Sequence, residues 1–114
     1  MTPSLDLVVI RAADLERSRR FYEALGLSFS LEKHGKGPEH LAAEFDGLVF
    51  EIYPMADGPA SAGVRLGFRV TSVEAAVAAA QGFGAEIATP PTEGALGWRA
   101  VLVNPDGHRV AIRQ

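Results

Sequence analysis

Apolar residues fall into three kinds of pattern along the chain, and each pattern predicts an element. Leu5 to Ile10 is a short β-branched run that reads as a strand buried on at least one face. Asp14 follows as a helix N-cap. Leu15, Ser18, Phe21, Tyr22 and Leu25 then recur at spacings of three and four, with Glu16, Arg17, Arg19, Arg20 and Glu23 on the other side and Gly26 at the stop, so the spacing predicts an amphipathic helix over about 14–25. Leu27, Phe29 and Leu31 alternate with Ser28, Ser30 and Glu32, a period of two that predicts a strand with one wet face. A loop containing Lys33, His34, Gly35, Lys36, Gly37 and Pro38 follows.

His40 to Tyr53 is broken at its centre by Asp46-Gly47, the dipeptide of a type I′ hairpin turn. Placing Phe45 opposite Leu48 sets the register. One face then reads Leu41, Ala43, Phe45, Leu48, Phe50 and Ile52, wholly apolar. The other carries His40, Ala42, Glu44, Val49, Glu51 and Tyr53. After a linker, 54–63, rich in Gly, Pro, Ala and Ser, the same order begins again: a strand at Arg65 to Val70, an N-cap at Ser72, a helix to about residue 82, a short strand at Glu86 to Ala88, a loop with Pro90, Pro91, Gly94 and Gly97, then strands at Trp98 to Val103 and His108 to Arg113 about the turn Asn104-Pro-Asp-Gly107. A shift of 58 residues lays Arg11 on Arg69, Glu16 on Glu74 and Gly26 on Gly84, so the chain reads as an internally duplicated β-α-β-β-β unit. The expected organisation is one domain, 1–114, made of two modules, 5–53 and 64–113.

Composition narrows the partners more than the fold. With 114 residues there is material for one hydrophobic core, and 47% hydrophobic with 22% charged residues is ordinary for a globular protein. The net charge of −3 supplies no cationic field for nucleic acid or an anionic membrane. The absence of cysteine excludes disulfides, thiolate metal ligands and cysteine nucleophiles, and agrees with an expected cytoplasmic location. The beginning, Met1-Thr-Pro-Ser, reads as neither a signal peptide nor a membrane span.

The string Asp14-Leu-Glu-Arg-Ser-Arg-Arg-Phe-Tyr-Glu-Ala-Leu-Gly-Leu27, with Asn104-Pro-Asp-Gly107 before the last strand, resembles the vicinal oxygen chelate superfamily of glyoxalase I, extradiol dioxygenases and bleomycin-resistance proteins. The resemblance implies an α+β fold in which two βαβββ modules form a curled mixed sheet around one pocket, commonly in a homodimer. It also implies where the enzymes of the family hold a divalent metal: on positions that here are Leu7, Glu51, Arg65 and Ala111. Leucine and alanine carry no donor and a guanidinium adds positive charge, so the expectation is a lost metal site and no resident cofactor, a divalent metal being the disfavoured alternative.

Alternation predicts the pocket lining. From the first module come Leu5, Leu7, Val9, Arg11, His40, Glu44, Glu51 and Tyr53; from the second come Arg65, Gly67 and Arg69. Pairing Val103 with His108 across the second turn would add Trp98, Ala100, Leu102, Arg109, Ala111 and Arg113. An indole, several arginines and carboxylates suit an aromatic or anionic small molecule, the ligand-binding candidates being Arg11, Glu44, Tyr53, Arg65, Arg69, Trp98, Arg109 and Arg113. Plain solvated salt bridges, with Arg65 neutralising Glu51, are the simpler account of the same residues. His40 and Glu51 are the acid/base candidates, and with Glu44 they form a candidate cluster for a relocated metal, although His40 and Glu44 stand about 13 Å apart along one strand, too far for one ion. His34 reads as part of a lid or of an ordinary solvated loop, and His108 as a structural histidine. Two functions follow: a small-molecule-binding protein that sequesters its ligand, as bleomycin-resistance proteins do, or a glyoxalase-like lyase or isomerase using Glu51.

Overall fold

A computed structural model describes residues 2–57, 61 and 63–114; residues 58–60 and 62 of the expected linker lie outside them. The elements run β1 (Leu7–Ala12), α1 (Leu15–Ala24), β2 (Ser30–Glu32), β3 (His40–Phe45), β4 (Leu48–Pro54), a 3-10 turn at Met55–Asp57, β5 (Arg65–Arg69), α2 (Val73–Gln81), β6 (Glu86–Gly94), β7 (Gly97–Val103) and β8 (Arg109–Arg113). They form two four-stranded mixed sheets of matching topology, β1-β4-β3-β2 and β5-β8-β7-β6, which do not close on each other. In each, the module's first strand pairs in parallel with its last, β1 with β4 and β5 with β8, and the remaining pairs are antiparallel.

Local chemistry sets both helices. The Asp14 carboxylate accepts from the Arg17 N–H at 3.1 Å, and the Ser72 hydroxyl accepts from the Ala75 N–H at 3.2 Å, each satisfying an orphan donor of a first turn. On α1, Ser18, Phe21 and Tyr22 are buried, while ion pairs of Arg19 with Glu23 and of Arg20 with Glu16 run along the wet side. Such exposed pairs contribute roughly 0.3–0.5 kcal/mol each, so burial of the apolar stripe, not charge, holds the helix in place. Past the C-cap, Gly26 takes φ +110, which a side chain rarely adopts.

Tyr22 is the hub of the core. Its ring meets Phe21, Phe50, Phe29 and, from the second module, Phe68, at centroid separations of 4.9, 5.1, 6.4 and 6.0 Å. The helices pack on each other and on the inner faces of the sheets, around Leu41, Ala43, Phe50 and Ile52 in one module and Ala100, Leu102, Val110 and Ile112 in the other. A polar strap joins the modules as well. The Asn104 amide donates to the Tyr22 hydroxyl at 3.0 Å and contacts His108 Nδ1 at 3.1 Å; His108 Nε2 lies 2.9 Å from the Ser61 hydroxyl, which accepts from the Arg11 N–H. His108 is fully buried within this strap, in keeping with a structural histidine.

The Asp46-Gly47 hairpin takes the expected register, Phe45 opposite Leu48 and Ala42 opposite Glu51, with both turn residues at positive φ. Three expectations change. β1 begins at Leu7 rather than Leu5, because the ladder with β4 starts at Leu7 opposite Val49. The strand expected across Leu27 to Leu31 shrinks to Ser30–Glu32, since Phe29 turns into the core. The segment read as a proline-rich loop is strand: β6 continues through Pro90 and Pro91 to Gly94. An edge strand tolerates residues without an N–H, and the register shifts on either side of Thr89 absorb them.

Candidate functional site

The outer face of the first sheet is a grid of side chains set by strand register. One row runs Leu7, Val49 and Glu44; the next runs Val9, Glu51, Ala42 and Ser30; Arg11 stands beside Tyr53, and His40 stands opposite Glu32. His40 and Tyr53 stack in parallel, 4.3 Å between ring centres with planes 5° apart, which completes the third row. Leu7 and Val9 stay exposed on this face.

His40 sits at the most enclosed point of the grid, 1% exposed. Its Nδ1 lies 3.2 Å from the Pro38 carbonyl; a carbonyl only accepts, so Nδ1 carries a hydrogen, and in the neutral ring the lone pair is then on Nε2. That Nε2 stands 3.4 Å from a Glu51 carboxylate oxygen and 3.7 Å from one of Glu32, yet makes a hydrogen bond with neither. His34, from the loop after β2, donates a hydrogen bond from its Nε2 to the same Glu32 oxygen at 3.3 Å. Ligand atoms of Glu32, His34 and His40 thus lie within 4.8 Å of one another. Glu44, two positions further along its face, lines a shallow depression with Ser28, Ser30 and Val49 that Glu32 also borders. Arg11 flanks Tyr53, and its Nη1 is buried without a hydrogen-bond partner.

The outer face of the second sheet has the opposite character. Arg65, Gly67 and Arg69 on β5 stand beside Arg109, Ala111 and Arg113 on β8, and Arg113 stands opposite Arg99 on β7. Arg65, Gly67, Arg69, Arg99, Ala111 and Arg113 bound a depression of about 330 Å³, within the size range of small-molecule sites. Three cross-strand pairs here are arginine against arginine: Arg65 with Arg109, Arg69 with Arg113 and Arg99 with Arg113. Like charges directly opposite destabilise a sheet. Among the described residues no carboxylate forms an ion pair with any of the five.

The expected pairing of Val103 with His108 is corrected by one residue. Val103 pairs with Arg109, because Asn104-Pro-Asp-Gly107 closes through Asn104, whose N–H reaches the His108 carbonyl and whose side chain accepts from the His108 N–H. A one-residue shift inverts every side chain on a strand. Ala100 and Leu102 therefore belong to the core, Trp98 packs against it, and Arg99, Val101 and Val103 take the outer face. Trp98 still borders a hollow with Arg99 and Arg113 at the end of the arginine face. Arg65 does not neutralise Glu51: the two are on different sheets and form no ion pair.

The four positions at which the resemblance implies a metal do not suit one. Leu7 is an exposed apolar side chain, Ala111 pairs with Gly67 without offering a donor, and Arg65 belongs to an unpaired cationic cluster, which leaves Glu51 alone.

Comparison with known proteins agrees with this architecture. The sequence profile of the glyoxalase-like domain matches residues 7–113. A search of curated proteins finds no match. Among solved structures, the hypothetical protein SA1046 of S. aureus superposes with a TM-score of 0.74 at 20% identity, over 99% of this chain and 97% of that one. A glyoxalase/bleomycin resistance protein from Albidiferax ferrireducens T118 gives 0.73 at 24% identity, over 95% of each chain. TnmS3, an antibiotic binding protein from Streptomyces sp. CB03234, gives 0.72 at 22% identity, over 99% and 96%. With its duplicated βαβββ topology and a profile match over nearly its whole length, the chain belongs to the glyoxalase-like domain family of the vicinal oxygen chelate superfamily.

Proposed function

We propose that this protein binds a small anionic, aromatic-bearing molecule on the arginine face of its second sheet, and does so without a metal at the four positions used by the family's enzymes. The observation that carries the reading is the set of three arginine-against-arginine pairs around Gly67 and Ala111. Their mutual repulsion costs stability and is offset when an anion lies among them. Gly67 and Ala111 leave the floor low enough for a planar group to reach the guanidinium forks. TnmS3 shows that the same fold serves as an antibiotic binder in another protein, which supports a sequestering role here.

A homodimer completes the site in this proposal. The chain exposes 6887 Å², against about 6,000 Å² expected for a folded monomer of its mass. Its radius of gyration of 14.3 Å exceeds the roughly 13 Å of a compact domain of this length. The resemblance carries a homodimer with it, and a second copy would enclose the outer faces that one chain leaves open. A cytoplasmic location fits the cysteine-free sequence; no helix among the described residues is long and apolar enough to cross a membrane.

The test uses 1-anilinonaphthalene-8-sulfonate, an anionic aromatic probe, in isothermal titration, with sedimentation analysis of the same samples. Binding should weaken at least fivefold in Arg65→Ala and in Arg69→Ala and fall with added salt. Equal affinity in wild type and both variants would sink the assignment, and a strictly monomeric chain would sink the dimer. The contact between His40 and Glu51 keeps a second reading in view, a lyase or isomerase with Glu51 as the base. Turnover of an α-oxo hemithioacetal that disappears in Glu51→Gln would favour it.

A further inference from the structure

We propose that Glu32, His34 and His40 form a divalent transition-metal site at the edge of the first sheet, displaced from the position the family's enzymes use. The inference is independent of the arginine face. The expectation of no resident metal rested on Leu7, Arg65 and Ala111; the new set shares none of these residues.

His40 Nε2 is buried and lacks a hydrogen bond, and in the neutral ring it directs a lone pair toward the oxygens of two carboxylates. A lone pair facing anionic oxygens is repulsive unless a cation lies between them. A proton is the first candidate, and the distances argue against it. A charge-assisted N–H···O contact closes to about 2.7–2.9 Å, whereas these separations are 3.4 and 3.7 Å without hydrogen-bond geometry. Two donors on one tetrahedral ion, each bonded at about 2.0–2.1 Å, lie about 3.3–3.4 Å apart. His40 stands 3.7 Å from Glu32 and His34 3.3 Å from it, the latter through a hydrogen bond whose proton a metal would displace; both separations are near that edge length, and all three ligand atoms lie within 4.8 Å of one another.

The surroundings have the form that a metal-binding histidine needs. Nδ1–H is held by the Pro38 carbonyl, which fixes the tautomer that leaves Nε2 free to donate. Tyr53, stacked at 4.3 Å, fixes the ring plane. Glu32 stands directly opposite His40 in the β2 to β3 ladder, so two ligands come from rigid backbone, and His34 follows Glu32 by two residues. Two imidazoles and one carboxylate suit zinc and its neighbours among the divalent transition metals, not magnesium or calcium. Glu51, 3.4 Å from the same His40 nitrogen, stands outside the three-ligand group as an adjacent carboxylate. The fourth coordination position is left for water or a ligand.

The experiment strips untagged protein with chelator and titrates it with Zn²⁺ by calorimetry and with Co²⁺ by visible absorption. The expected result is one equivalent per chain, with the intense ligand-field bands of four-coordinate cobalt. Affinity should fall at least tenfold in His34→Ala and in Glu32→Gln. His34 is 74% exposed, so its removal leaves the core intact, and an unchanged thermal transition in the metal-free variant confirms this. Stoichiometric binding that neither variant weakens would place the ion elsewhere and overturn the proposal. Absence of binding, with nitrogen shifts of His40 showing a doubly protonated ring, would overturn it in favour of a proton.

Discussion

The Asn104 amide donates to the Tyr22 hydroxyl at 3.0 Å across 82 residues of sequence, tying the turn before the last strand to the last turn of the first helix. Burial pushes the Tyr22 phenol up, well out of the physiological range, so it remains an un-ionised acceptor for this bond. In Tyr22→Phe the Asn104 donor loses one of its two partners in a buried place. The expected cost is about 1–3 kcal/mol in urea denaturation, with an unchanged denaturant slope. A loss below a few tenths would mean that the strap is not a stabilising junction.

His108 makes the same junction sensitive to acid. Its burial lowers its pKa below the ordinary value, so in the window between its folded-state pKa and about 6.5 the unfolded chain binds more protons than the folded one. Its contribution is complete above about pH 6.5 and is lost as pH falls through the folded-state pKa. Melting temperature should therefore drop from about pH 7.5 to about pH 5.5, and this drop should shrink in His108→Gln. A variant with the wild-type pH dependence would assign the acid sensitivity to the carboxylates.

Arg65→Gln separates stability from binding. It removes the repulsion with Arg109 and should raise stability by about 0.2–1 kcal/mol, while weakening the sulfonate probe. Loss of stability together with loss of binding would show that Arg65 has a structural partner instead.

Gly67 is the floor of the arginine depression. A Cβ added there would meet only the Ala111 carbonyl, at 4.0 Å, so Gly67→Val fits the strand and fills the hollow. Probe affinity should fall about tenfold (about 1.4 kcal/mol) with the melting temperature maintained or raised. Full affinity in this variant would move the ligand off the β5 and β8 face.

Why the first sheet was legible in the sequence and the second only in part comes down to turn chemistry. Asp46-Gly47 admits one tight register, so the face shared by His40, Glu44, Glu51 and Tyr53 follows from counting. Asn104-Pro-Asp-Gly107 admits more than one closure, and the Asn104 side chain decides between them by hydrogen bonds invisible in the string of letters. That choice moved Arg99 onto the outer face and Trp98 off it. Glu32 was missed for a related reason. The alternation showed it on a wet face, but seven residues separate it from His40, and no turn rule sets register across such a loop. Pairing Leu31 with Leu41, the two apolar residues flanking that loop, would have put Glu32 opposite His40. The arginines were visible individually; their pairing was not, because two of the three pairs need β5 beside β8, a parallel contact between segments 44 residues apart, and the third needs the Asn104 closure that turns Arg99 outward.

Pro90 and Pro91 interrupt the outermost strand of the second sheet at the point where its pairing slips. Two successive residues without N–H leave no continuous donor row on that rim for an incoming extended chain to read. The first sheet ends on a strand of only three residues, which offers little more. These two rims, on β6 and β2, are therefore poor templates for edge-to-edge ribbon growth.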